Sequence, residues 1–288
     1  MALKWDASAF WKEQSFQTSA RLHLQHWISN YQLGYLLHPK IDVGEKTLMI
    51  ADVACGNGAW LLDVAHQHPQ HEYVGLDITA AHFPAAGNLP SNVRLYTLDA
   101  FVELPSEYVG EFDIVNIRTI YSAVIDNNVE PLLLNLVKML KPGGYLQWAE
   151  NDASTLTARA PEGVDKDAMS TVVSVVNFFL EYQSKLLPDW LQTLGSSLGK
   201  QGCEILANDT ISPSAELSRA WSDNMLTVWI GMPAMLPEQP IPLPQMPGLP
   251  VNVSRHTFGD LVMKSAQESS QGAWPAMDQR VIVARKNE

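Results

Sequence analysis

The sequence is short of cysteine, of long apolar runs and of positive charge, and each shortage removes a class of protein. Two cysteines, Cys55 and Cys203, are too few for a disulfide framework or a zinc site. A reducing, cytoplasmic location is the resulting expectation. The first residues, Met1-Ala2-Leu3-Lys4-Trp5-Asp6, include an acid and no apolar leader core, so no cleaved secretory signal is expected. No stretch approaches the ~20 continuous apolar residues of a membrane span, so no membrane partner is expected. Lys and Arg number 19 against 31 Asp and Glu, a formal net charge of -12, and the longest basic cluster is Arg285-Lys286. Binding to phosphate backbones needs a basic face that displaces counterions, which argues against a nucleic-acid partner. A small-molecule substrate is expected, and a homodimer stays open. The 288 residues, 46% of them apolar, can hold one large α/β domain with an elaborated cap.

What is present is an alternation of strands and helices. The first thirty residues read as helix, with Trp11, Ser15, Leu22, Trp27 and Tyr31 near helical spacing, and 30–39 as a loop. Apolar runs at 47–53, 72–77, 93–99, 112–118 and 145–150 read as strands buried on both faces of a parallel sheet. Helices are expected at 59–68, stopped by Pro69, and at 131–140, stopped at Lys141-Pro142-Gly143-Gly144. Further helices are expected at 165–187, 189–200, 214–232 and 256–271, with strands at 203–211 and 279–286. Seven prolines between Pro233 and Pro250 predict an extended, polyproline-like loop. The expected fold is a Rossmann-like, doubly wound α/β sheet. The expected division is an N-terminal helical cap at 1–46 and a ligand-binding domain at 47–288, with a cap insertion around 212–272. Phe10, Trp11, Trp27, Tyr31, Trp221, Met225 and Trp229 either pack a core or roof an apolar pocket.

In an open α/β sheet, ligands lie beyond the carboxyl ends of the strands. Three such ends carry chemistry here. The first is the turn Asp52-Val53-Ala54-Cys55-Gly56-Asn57-Gly58. Gly56 and Gly58 let the backbone approach a ligand, and the helix start beyond them offers N–H groups to an anion. The second is Asp77, nineteen residues after Gly58, which can accept both hydroxyls of a ribose. The third is Asp99, followed by Ala100 and Phe101, a set suited to an adenine. Singly, a Gly pair also serves any tight turn, and a strand-end Asp also caps a helix. Together and in this order they point to a nucleoside-containing cofactor. A dinucleotide fingerprint requires a third glycine where the chain has Leu61, which disfavours a nicotinamide oxidoreductase. S-adenosyl-L-methionine (SAM) accounts for more: Asp52 can pair with its ammonium, the loop N–H groups with its carboxylate, and Asp77 and Asp99 with its nucleoside.

These stretches, with Gly34-Tyr35-Leu36-Leu37-His38-Pro39-Lys40-Ile41, Leu89-Pro90-Ser91-Asn92-Val93-Arg94-Leu95 and Leu140-Lys141-Pro142-Gly143-Gly144-Tyr145-Leu146-Gln147-Trp148, resemble class I SAM-dependent methyltransferases. Within that family the chain is similar to fungal secondary-metabolite methyltransferases over residues 34–150. The family's glycine motif begins with Gly where this chain has Ala54. The resemblance implies seven strands, the last antiparallel and inserted between the fifth and sixth. It also implies cofactor contacts at Asp52, Ala54, Gly56, Gly58, Asp77, Ile78, Asp99, Ala100 and Phe101. Asn116, Ile117 and Arg118 are placed by it close to the sulfonium. The chain reads Asn116-Ile117-Arg118-Thr119 where nucleic-acid amino-methyltransferases carry Asn/Asp-Pro-Pro-aromatic, again favouring a small substrate.

Methyl transfer is a displacement at an already activated sulfonium, so proximity and alignment supply much of the catalysis. A base is needed only to remove a proton from the acceptor. No metal is called for. Candidate bases are Tyr121 beyond the fourth strand and Glu150 and Asp152 beyond the fifth. His256 is a further, more peripheral candidate. The plainer reading of Tyr121 is a pocket wall, and of Glu150 or Asp152 a cap or surface charge. The expected activity is methyl transfer from SAM to oxygen or nitrogen of an apolar secondary metabolite. The rival is a SAM-retaining, methyltransferase-like cyclase that rearranges its substrate without transfer.

Overall fold

The computed structural model describes residues 15–164, 169–182, 188–231, 241–242 and 252–288. By contacts these fall into two units. One comprises Ser29–Asn151, Pro188–Ile211 and Gln279–Glu288; the other comprises the described residues within 1–28, 152–187 and 212–278.

The first unit is built on β1 (Met49–Val53), α2 (Ala59–Gln67), β2 (Glu72–Asp77), β3 (Val93–Thr97), β4 (Phe112–Arg118), α3 (Glu130–Met139), β5 (Leu140–Asn151), α5 (Asp189–Lys200), β7 (Cys203–Ile211) and β11 (Gln279–Lys286). Helix α1 (Phe16–Leu33) runs into it from the other unit. The described strands form a seven-stranded sheet in the order β3-β2-β1-β4-β5-β11-β7. Neighbours from β3 to β5 pair in parallel, and β11 is antiparallel to both β5 and β7. The last strand is therefore inserted between the fifth and sixth main strands, as the resemblance implied.

Burial follows the apolar pattern. Ile50, Ala51, Ile114, Val115, Ile117, Val281 and Val283 are fully enclosed, while Trp60, Leu61 and Val64 of α2 pack on the sheet. Gly75 sits in a tight spot: a Cβ there would lie 2.4 Å from Leu95 Cδ2 and 3.0 Å from Cys55 Sγ, so the Leu95 side chain would have to shift. The Lys286 ammonium closes the end of α3 by donating to the carbonyls of Val137 and Leu140 at 2.9 and 2.8 Å.

The second unit contains β6 (Thr157–Arg159), α4 (Ser170–Tyr182), α6 (Ser218–Gly231), β8 (Ile241–Pro242), β9 (Asn252–Val253), α7 (Arg255–Ser270) and β10 (Trp274–Ala276). The rings of Phe178 on α4 and Phe258 on α7 lie 4.5 Å apart. Glu268 on α7 accepts from the N–H groups of Thr171 and Val172, capping the start of α4 at 2.9 and 2.7 Å. Trp221, Met225 and Trp229 are core residues here, whereas Trp27 and Tyr31 are half-exposed on α1. Phe10 and Trp11 lie outside the described residues.

Several boundaries differ from the sequence expectations. Leu140 begins β5 instead of ending α3, and a register shift in the β4–β5 pairing accommodates the Lys141-Pro142-Gly143-Gly144 turn, with Gly143 at φ +76°. Helix 214–232 divides into a 3-10 turn at Ala215–Leu217 and α6. The β6–β10 ladder was not foreseen, because three-residue strands have too little periodicity to register. Within the proline-rich run, Ile241 and Pro242 pair antiparallel with Val253 and Asn252; its other residues lie outside those described.

Candidate functional site

Beyond β1 the chain reverses through three left-handed residues, Ala54 (φ +56°), Gly56 (φ +58°) and Gly58 (φ +74°). Left-handed backbone is free for glycine and costs about 1–2 kcal/mol for a residue with a Cβ. The glycine preference at position 54 of the resembled family thus has a physical cause, and Ala54 tolerates the geometry at a cost. The turn is stitched by Gly58 N–H to the Cys55 carbonyl at 2.9 Å and by Cys55 N–H to the Leu76 carbonyl at 3.1 Å. Asn57 is buried; its Oδ1 accepts from Ala59 N–H at 3.2 Å, and its Nδ2 is enclosed with no hydrogen-bond partner among the described residues. A buried amide donor left in this way is costly unless a ligand acceptor meets it.

Asp77 ends β2 and ties the glycine turn to its own strand. Its Oδ2 accepts from Gly56 N–H at 2.8 Å and its Oδ1 from Thr79 N–H at 3.1 Å. Burial raises its pKa; hydrogen bonds from Gly56 and Thr79, and His82 nearby, oppose that rise. Ile78 beside it is about half exposed, an apolar surface next to a carboxylate. Asp99 lies two residues past β3 and accepts from Phe101 N–H at 2.9 Å. The turn it forms is held from the far side by Asn135 of α3, whose Nδ2 donates to the carbonyls of Ala100 and Val102 at 2.9 and 2.6 Å.

Asp52 is the most enclosed of the three acids. In the sheet register it stands beside Asn116, and Asn116 beside Gln147. Asn116 Nδ2 donates to Asp52 Oδ1 at 2.7 Å, and Gln147 Nε2 donates to Asn116 Oδ1 at 2.9 Å. Burial lifts the Asp52 pKa to about 6; Arg118 and Asn116 pull it down, and Asp77 pushes it up. Arg118 lies with its guanidinium carbon 6.0 Å from the Trp60 ring centroid, and its pKa is lowered by burial against the pull of Asp52 and Asp63.

After β4 the backbone turns at Thr119, where φ is +54°. This conformation is an outlier for a β-branched residue and stores strain of order 1–3 kcal/mol. The strand end is held by Thr119 N–H on the Ala149 carbonyl at 3.0 Å, and by Ile120 N–H on Glu150 Oε2 at 2.9 Å. Glu150 Oε1 accepts from Asn151 N–H at 3.0 Å. Glu150 is buried, and desolvation lifts its pKa to about 8 against the hydrogen bonds of Ile120 and Asn151 and weaker support from Tyr121 N–H. The Trp148 indole N–H adds favourable electrostatics without forming a full hydrogen bond. Tyr121 is buried and opens the next 3-10 turn. Asp152 belongs to the helical unit, where its carboxylate caps a 3-10 turn through Ser154 N–H at 3.2 Å and through the Ser154 hydroxyl. His256 is exposed at the start of α7, 3.6 Å from Asp260.

Asp52, the glycine turn, Asp77, Asn116, Ile117 and Arg118 therefore stand at the carboxyl ends of adjacent central strands. Asp99, Ala100 and Phe101 follow β3, and Glu150 is near the end of β5. Sequence reasoning missed Asn57, Asn135 and Gln147. The available signal was a lone amide inside an apolar run: Asn135 interrupts a helix of leucines, and Gln147 sits between Leu146 and Trp148.

Residues 51–146 match the family described as Methyltransferase domain. The chain resembles the class I SAM-dependent methyltransferases. Among curated relatives, the N-methyltransferase verN of Clonostachys rogersoniana is 35% identical over 132 residues, covering 45% of this chain and 46% of that protein. Further matches come from Penicillium and Aspergillus, so the resemblance is to fungal enzymes. The chain spans about half the length of the curated relatives it matches. Among solved structures, phosphoethanolamine N-methyltransferase 2 of Haemonchus contortus, in complex with phosphomonomethylethanolamine and S-adenosylhomocysteine, is 12% identical with a TM-score of 0.53. That likeness covers 94% of this chain and 58% of that one. The cyclase SpnF is 17% identical with a TM-score of 0.51, covering 95% of this chain and 96% of that one. At these identities both structures speak for the fold alone.

SAM is the cofactor of this domain type, and the residues present fit it. The left-handed glycine turn, the buried Asp52 and the partly buried Asp77 supply backbone donors for a carboxylate and acceptors for an ammonium and a ribose.

Proposed function

We propose that the chain transfers a methyl group from SAM to a nitrogen or oxygen of an apolar small molecule of secondary metabolism. The observation that carries this reading is the ordered set of acids Asp52, Asp77 and Asp99 around the Ala54-to-Gly58 turn. The name of the relative verN favours nitrogen as the acceptor. Bound, the cofactor supplies an activated methyl group for in-line displacement. The residues of this chain then have three tasks. Asp52, Asp77 and Asp99 hold the cofactor by its ammonium, ribose and adenine. Arg118, Ile117 and the Thr119 turn define the backbone beside the reacting centre. Glu150 accepts the proton that the acceptor atom loses, its raised pKa of about 8 matching proton uptake near neutrality. Tyr121 is proposed as a wall of the acceptor site. Asp152 is the second candidate base; its Oδ1 is engaged by Ser154, as both oxygens of Glu150 are by backbone N–H groups. Acceptor binding is proposed for the N-terminal cap at 1–46 and the cap insertion around 212–272, where the exposed Trp27 and Tyr31 suit an apolar ligand.

Incubation with SAM and a panel of apolar amines and phenols, read by mass spectrometry, tests the reading. A product heavier by one methylene unit, with release of S-adenosylhomocysteine, is expected. An isomer of the substrate with SAM unchanged would indicate the cyclase reading instead.

A further inference from the structure

Gln147 lies on the central strand β5, is 1% exposed, and uses its whole amide. Nε2 donates to Asn116 Oδ1 at 2.9 Å and to the Leu36 carbonyl at 2.8 Å, and Oε1 accepts from His38 N–H at 2.7 Å. An amide has two donors and an acceptor, and here each has one assignment. Because Gln147 donates to Asn116 Oδ1, the Asn116 side chain is fixed with its own Nδ2 toward Asp52, 2.7 Å away. Were Asn116 flipped, an oxygen would face the carboxylate and the pair would repel. The same amide fastens the segment 34–41. His38 Nε2 reaches Asp209 Oδ2 at 3.1 Å, and Trp60 Nε1 donates to the Leu36 carbonyl at 3.1 Å.

We propose that Gln147 is a positioning residue for the amino-acid end of the cofactor: it sets the orientation of Asn116, which holds the Asp52 carboxylate ready for an ammonium, and it couples that acid to the 34–41 segment. The proposal rests on the SAM reading above. It predicts an effect confined to the part of the ligand that Asp52 meets. Gln147 touches no part of the cradle assigned to ribose or adenine.

The test is calorimetric titration of the full chain with two probes, S-adenosylhomocysteine and 5′-methylthioadenosine, which lacks the amino-acid end. Wild type should bind the first more tightly. Gln147→Met removes the donor without adding charge. It should weaken S-adenosylhomocysteine by about tenfold, the upper end of one lost neutral hydrogen bond, and leave 5′-methylthioadenosine within about twofold. Gln147→Glu should weaken the first probe further and again spare the second. Equal loss of both probes in either variant, or loss in the Glu variant with none in the Met variant, would overturn the proposal. If wild type binds both probes equally, the positioning role is refuted while nucleoside binding stands; if it binds neither, the SAM reading itself fails, and the proposal with it.

Discussion

The two halves of the site, the β1–β2 end and the β4–β5 end, are built by opposite means. At β1–β2 the reversal is made by Ala54 and two glycines, and the Asp77 carboxylate braces it from 21 residues on through Gly56 N–H. The turn itself is contiguous in sequence, so it leaves a pattern of spacing. At β4–β5 the reversal is forced on Thr119, and the acid that steadies it, Glu150, comes from thirty residues away. Its partners are long-range and its burial is tertiary. In the proposed reading the first half receives the cofactor; the second holds strain and a proton-binding group in place. Strained backbone together with a perturbed buried acid is a recurring mark of reaction centres.

The largest expected effect breaks the first half. Asp77→Ala removes the ribose acceptor and the brace of the glycine turn together. Affinity for S-adenosylhomocysteine should fall by about a hundredfold or more, the scale of about two lost charge-assisted hydrogen bonds. A change of less than about threefold, measured by calorimetry, would remove Asp77 from the cradle.

Next comes the second half. Glu150→Gln should leave cofactor affinity nearly unchanged and lower turnover by about a hundredfold or more, the usual scale of a lost general base. In wild type the rate should rise with pH and level off above about pH 8, as Glu150 ionises; in the variant that rise should disappear. The same group affects stability. Its folded-state pKa, about 8, lies above its ordinary value of 4.5, so between these pH values the folded chain holds the proton that the unfolded chain has released. Stability therefore falls as pH rises through that window. Asp52, its pKa lifted by burial, contributes in the same sense between 3.8 and about 6. Chemical denaturation across pH should show the decline, and it should be shallower in the Glu150→Gln protein.

Asn135→Ala is the third test. It strips the donor from the carbonyls of Ala100 and Val102, and should cost about 1–3 kcal/mol of stability in urea melts. Cofactor binding should weaken several-fold through the loosened Asp99 turn. The smallest effect is expected at Ala54→Gly, which relieves a left-handed alanine but frees the unfolded chain. The two contributions oppose each other, leaving a change within about 1 kcal/mol. A loss larger than that would mean the Ala54 methyl makes a contact the turn depends on.

The same contrast explains what the sequence disclosed. Apolar runs ending in Asp52 and Asp77 placed the strands and half the site, because buried parallel strands and glycine turns are local patterns. The insertion of β11 between β5 and β7 came only from resemblance, since nothing in the run Val281-Ile282-Val283 states its partner. Glu150 could be named as a candidate but not separated from Asp152 by sequence alone. Both are buried and hydrogen-bonded; their difference is tertiary, since Glu150 steadies the turn at Thr119 and Ile120 while Asp152 caps the turn at Ser154. Asn135 and Gln147 escaped for the same reason. An amide inside an apolar stretch signals a buried polar contact without revealing the partner.

Titration of S-adenosylhomocysteine into the purified chain, wild type beside Asp77→Ala, tests the central claim most directly. Saturable one-to-one binding by wild type, largely abolished in the variant, is the predicted result. Absence of binding by wild type, or equal binding by both proteins, would contradict the assignment of the β1–β2 end as the cofactor cradle.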